Sequence, residues 1–168
     1  MTTSVNTSQT FSKIGYVGSC KLQAANTATD GTGTLDAAGT NTTTTGHSGT
    51  LASGGTAGKR IDRVRFMAEG TNVATVCRLF LNNGSSNGTS GNNVLIAEIA
   101  LPATTASNSA LINATIKELP TPQTDTAFDL TAFPIIIPPS YVLMACLGTA
   151  VASFWDLCAM GGDINASA

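Results

Sequence analysis

Residues 59–83 read KRIDRVRFMAEGTNVATVCRLFLNN, and the fold is decided by how this stretch is read. Side chains alternate between the two faces of a strand. On the first half Val64, Phe66 and Ala68 share one face, with Arg63, Arg65 and Met67 on the other. Glu69-Gly70-Thr71-Asn72 supplies a turn. On the second half Val73, Thr75, Cys77, Leu79 and Leu81 alternate with Ala74, Val76, Arg78 and Phe80. The spacing predicts a β-hairpin in which Ala68 faces Val73, Phe66 faces Thr75 and Val64 faces Cys77. That register sets Arg63 opposite Arg78, a like-charge pair that calls for an anion between them. The mixed face, with Met67, Val76 and Phe80 beside the arginines, calls for a cover.

Composition extends the β reading to the whole chain. The sequence has 168 residues and 17 glycines, and charged residues make up 11%, against about 25% in an average soluble domain. Thr, Ser, Asn and Gly fill the difference, and these favour pleated strands and turns over helices. The formal charge of −2 disfavours a nucleic-acid binder that works by bulk electrostatics. So little charge suits a protein that hides much of its surface in an assembly.

Outward from the central stretch, residues 1–12 form a polar arm with Val5 and Phe11 as apolar anchors, and 13–168 form one sandwich domain. Residues 26–58 are a Thr/Gly-rich insertion with Leu35 and Leu51 as its large apolar side chains. It reads as a long loop that cannot bury a core, or as a segment laid across a neighbour. Asn83-Gly84 and Asn87-Gly88 mark a loop. Residues 94–101 follow as a strand, with Glu98 the nearest partner for the arginines. Residues 111–119 read as a strand ended by Pro120. Residues 141–147 and 151–160 read as a final pair of strands around Gly148-Thr149-Ala150. The expectation is an all-β sandwich of about eight strands, jelly-roll before immunoglobulin-like, because Trp155 lies after three of the four cysteines.

Catalytic signatures are absent from the sequence. His47 is the single histidine and sits in the Thr/Gly run, where a solvated side chain is expected. Asp30 to Asp36 lacks the oxygen ligands of a calcium loop and reads as a turn. Cys20, Cys77, Cys146 and Cys158 show no metal-binding spacing and read as buried free thiols. No apolar leader or membrane-spanning run is evident. The residues singled out as an interface are Arg63, Arg65, Arg78, Phe80, Trp155 and Phe11. No catalytic, metal or cofactor site is expected.

The strings RIDRVRFMAEGTNVATVCRLFLNNG, VLIAEIAL, PATTAS, PPSYVLMACLG and AMGGDI, spread over 59–164, resemble small virion proteins of tailed bacteriophages. In those proteins a strand of type R-I-x-x-V-x-F leads through a Gly-Thr turn to V-x-R-L-F-L, and a terminal strand ends in G-G-D. The resemblance consists of packing patterns and leaves 26–58 outside it. It implies a non-enzymatic component of the particle, first a capsid decoration (cement) protein on the phage head surface. Such a protein is made in the host cytoplasm without a signal peptide. It forms a trimer or dimer and binds the major capsid protein through extended arms, with neither nucleic acid nor membrane as partner. Contacts spread over several capsid subunits give avidity. The alternative is a tail or fibre component, including a receptor-binding module. A jelly-roll coat protein would want a basic arm, and an enzyme or carbohydrate-binding module would want chemistry this sequence lacks.

Overall fold

The computed structural model describes residues 14–107, 116–119 and 134–164. The N-terminal arm with Phe11 and most of 108–133 lie outside the described residues. The described chain is built from strands, with one short 3-10 turn at Ser90–Asn92. In order these are β1 (Gly15–Leu22), β2 (Thr34–Asp36), β3 (Asn41–Thr42), β4 (His47–Ser53), β5 (Lys59–Ala68), β6 (Thr75–Asn82), β7 (Asn93–Leu101), β8 (Ile116–Leu119), β9 (Ile135–Ile137), β10 (Val142–Leu147) and β11 (Trp155–Asp163).

They form two sheets, as an all-β sandwich requires. The front sheet runs β3-β1-β11-β5-β8, with β9 sharing the β8 edge of β5, and the back sheet runs β2-β4-β10-β6-β7. Most pairs are antiparallel; β1 with β3 and β2 with β4 are parallel. Between the sheets lies a hydrophobic core. Leu22, Ile61, Phe66 and Trp155 enter it from the front, and Leu51, Leu79, Leu101 and Leu143 from the back, all fully buried or nearly so. Each such side chain contributes about 1.5–3 kcal/mol of transfer free energy.

The expected hairpin is not formed. β5 belongs to the front sheet, where it pairs with β11, β8 and β9; β6 belongs to the back sheet, where it pairs with β10 and β7. The chain arches from one sheet to the other across residues 69–74. Arg63 stands opposite Met160 and Arg78 opposite Cys146 and Glu98, so the two arginines are not cross-strand neighbours and no anion is needed between them. The arch is pinned from a distance. Asn72 exchanges backbone hydrogen bonds with Thr104, its Oδ1 accepts from the Ser153 N–H, and the Thr104 hydroxyl donates to the Gly70 carbonyl. The expected final strand pair is an arch as well, because β10 lies in the back sheet and β11 in the front. By contrast β6 and β7 do form a hairpin, across the Asn-Gly loop.

Residues 26–58 are part of the body. They carry β2, β3 and β4, and Leu51 and Ala52 of β4 are fully buried. Small side chains are what this position needs, because the sheets approach closely there. A Cβ on Gly49 would lie 3.0 Å from Leu22 and 3.1 Å from Cys20, and one on Gly18 would lie 2.2 Å from the Leu51 carbonyl oxygen. Asn26 ties the segment down. Its amide donates to the Thr32 carbonyl and the Ser48 hydroxyl at 3.0 Å each, and its backbone N–H donates to the Leu147 carbonyl. The segment also covers the outer face of the back sheet. Phe80, Met144 and Cys146 form a second buried cluster with Leu35 against it, and a Cβ on Gly31 (φ +76°) would lie 2.9 Å from the Phe80 ring.

Candidate interaction surface

The three interface arginines lie on opposite faces of the sandwich. Arg63 and Arg65 project from β5 on the outer face of the front sheet, while Arg78 projects from β6 on the outer face of the back sheet. Alternation decides this: Val64 and Phe66 fill the core, so their neighbours face out. A bulge at Asp62 resets the alternation, since Ile61 and Arg63 face consecutive residues Gly161 and Met160 on β11. The Arg63 guanidinium lies 3.3 Å from the Met160 sulfur. Arg78 donates from Nε to Glu98 Oε1 at 2.7 Å, so Glu98 is indeed its partner.

Phe80 and Trp155 are not surface anchors. Both are fully buried within the chain: Phe80 under residues 26–46, and Trp155 in the core between Leu22 of β1 and Ala68 of β5. Of the adjacent aromatics it is Phe154 that stays half-exposed, with the Lys21 ammonium 5.9 Å from its ring. Lys21 also forms an ion pair with Glu69 and lies 3.4 Å from Asp156. The Glu69 hydrogen bond holds Lys21 above its ordinary value, and burial followed by the Glu69 charge raises Asp156.

His47 is not a solvated loop residue. Parallel pairing of β2 with β4 brings its Nδ1 to 2.8 Å from Asp36 Oδ1, both side chains about three-quarters covered. Sequence reading missed this pair because parallel pairing of two short strands leaves no local signature. Among the described residues no hydroxyl or thiol is hydrogen-bonded to the imidazole, and no cluster of three metal-binding side chains occurs. Asp30 accepts from the Thr32 N–H and hydroxyl, which lowers its pKa and makes it a turn residue.

One cleft, of about 560 Å³, opens beside the end of β7. Val76, Arg78, Ala100, Leu101, Pro102 and Gly148 line it. The absence of a side chain at Gly148 leaves room for the Arg78 guanidinium, since a Cβ would sit 3.2 Å from its Nη1.

No protein-family model matches this chain. No curated protein and no solved structure matches it either. Its surface is therefore read from its own chemistry. Large apolar side chains remain open on the front face and at one sheet edge, among them Val17 at 70%, Val94 at 60% and Ile136 at 47% exposed, with Met67 and Leu95 close behind.

The thiols give a direct check on the sandwich. All four are free; Cys20, Cys77 and Cys146 are buried and Cys158 is half-exposed on the front face. Burial pushes Cys20 up to about 12 and Cys146 to about 11, the latter opposed by Arg78, and drives Cys77 well above its ordinary value of 9.0. A thiol reagent at neutral pH is expected to modify Cys158 alone in the native chain and all four after denaturation. The buried thiols also set an alkaline limit. The unfolded chain releases these protons near pH 9 and the folded chain holds them to about 11 or higher. Stability is thus unaffected by these groups below pH 9 and falls above it, by about 1.4 kcal/mol per pH unit for each thiol. Urea midpoints measured across that window check the slope.

Proposed function

We propose that this chain is a virion structural protein of a tailed bacteriophage, a capsid decoration protein that binds the outside of the head and stabilises contacts between capsid subunits. We propose further that its sandwich is a jelly roll. The strand order carries this reading. With the short β2 and β3 set aside and β9 taken with β8, the sheets read β1-β11-β5-β8 and β4-β10-β6-β7. In chain order the described strands cross one after another to the opposite sheet, and among them only β6 to β7 stays within one, the double Greek-key pattern of jelly rolls.

The surface chemistry supports the same reading. Among the described residues, ionic side chains pair largely with one another: Arg78 with Glu98, Lys59 with Asp163, Arg60 with Asp62 and Lys21 with Glu69. The outer face of the front sheet offers Val17 and Met67, large apolar side chains exposed at 70% and 42%, the kind of side chain that protein contacts use. The partner this surface fits is an apolar patch on a capsid subunit. Homo-oligomer formation belongs to the proposal.

The test is add-back. Purified protein added to particles stripped of it is expected to bind stoichiometrically and raise their resistance to heat and osmotic shock. A double substitution of the exposed apolar pair, Val17→Asp with Met67→Asp, is expected to weaken that binding while leaving the fold intact. Localisation to the tail, or binding to host cells, would assign the chain to the tail or fibre instead.

A further inference from the structure

The longest strand edge left open among the described residues is that of β7. It ends the back sheet and pairs with β6 alone. Along residues 94–101 no backbone group on the far side has a partner among the described residues. Such an edge is a template for another strand, and proteins normally blunt it with Lys, Pro or a bulge. β7 carries neither Lys nor Pro, and its one charge, Glu98, is balanced by Arg78 at 2.7 Å.

Two features bound the part that can pair. Leu79 faces Ala97 while Phe80 faces Leu95, so Ile96 is an extra residue and the strand bends there. Pro102 follows the other end and has no N–H to donate. Between them, residues 97–101 alternate regularly, with Ala97, Ile99 and Leu101 buried and Glu98 and Ala100 exposed.

We propose that this edge pairs with the same edge of a second copy, antiparallel about a two-fold axis at Ile99. Any extended chain could satisfy the backbone, but three features favour a copy of this one. A bounded five-residue segment uses its whole length against itself in a single register, centred on Ile99. That register sets Ala97 against Leu101 of the partner subunit, small against large, and keeps buried residues opposite buried residues so that the two cores align across the junction. It also sets Glu98 against Ala100 of the partner subunit, so the only carboxylate on the edge meets a methyl group and not another carboxylate. The two back sheets become one continuous sheet. The pairing concerns the edge alone and stands whether or not the chain is a decoration protein.

Sedimentation of the full chain over a wide concentration range tests it. The wild type is expected to show a monomer–dimer equilibrium. Ala100→Glu creates two symmetric carboxylate pairs across the axis and is expected to weaken dimerisation about tenfold at low salt. Ala100→Lys places an ammonium opposite each Glu98 and is expected to leave the dimer at least as tight. Hydrogen exchange on the wild type, which needs no variant to fold, is expected to show amides of 97–101 gaining protection as concentration rises. A chain that stays monomeric throughout overturns the proposal, and so does a monomer that takes another protein at this edge. A dimer whose constant neither variant changes, or both change alike, overturns it too, as does concentration-dependent protection elsewhere but not in β7.

Discussion

Replacing Trp155 by alanine is expected to destabilise the chain by about 3–5 kcal/mol, a large share of the roughly 5–15 kcal/mol typical of a domain. Trp155 is the single tryptophan and is fully buried on β11, the strand that lies between β1 and β5. It faces Leu22 on one side and Ala68 on the other. Neither neighbour can grow into the space an alanine would leave, so the cavity adds to the lost transfer energy. The indole N–H meets no acceptor among the described residues. Phenylalanine at this position would remove that unmatched donor and keep most of the ring. Trp155→Phe is therefore expected to cost only about 1–2 kcal/mol. Urea unfolding followed by circular dichroism separates the two. Equal losses for both variants would show that the indole nitrogen has a role the packing does not reveal.

The second large effect is expected at Gly18. A Cβ there would lie 2.2 Å from the Leu51 carbonyl oxygen and 2.4 Å from the Tyr16 hydroxyl. The Tyr16 side chain can swing away; the carbonyl belongs to the backbone of β4 and cannot move without parting the sheets. Gly18→Val is expected to cost about 3 kcal/mol. Gly15, on the same strand, has nothing within 4 Å of its would-be Cβ, and Gly15→Ala is expected to change stability by no more than a few tenths of a kcal/mol. The Trp155 fluorescence reports unfolding in both variants. A tolerated Gly18→Val would mean that β1 and β4 do not approach as closely as described.

These two positions also show what the sequence could and could not tell. Alternation in β5, β6 and β7 was legible, because each of those strands has one face on a common core. Strand partners were not. The turn at 69–72 suits a hairpin as well as an arch, and what selects the arch is remote: Thr104 and Ser153 bind the turn from more than thirty residues away. Residues 26–58 were misread for a related reason. Large side chains announce a core, but where two sheets press together the required residues are small, and Gly49 and Ala52 look the same in a core as in a loop. Of the six interface residues, Arg63 and Arg65 lie on the outer face of the front sheet, Arg78 lies on that of the back sheet, and Phe11 falls outside the described residues. Phe80 and Trp155 are interior, Phe80 because its outward position is roofed by the very segment that looked unable to cover anything. The His47–Asp36 pair depends on parallel strand pairing and had no signal to find.

The place of β11 has a consequence for how the chain reaches this state. It is the last described strand to be synthesised, yet it lies in the interior of its sheet, antiparallel to β1 along its whole length and to β5 on the other side. Until residues up to Asp163 leave the ribosome, β1 and β5 each present a bare edge with no neighbour between them. Contacts of such long sequence separation place folding in the slow range, milliseconds to seconds. Protection of the nascent chain during that wait, more than the speed of any local turn, then governs the yield of soluble protein.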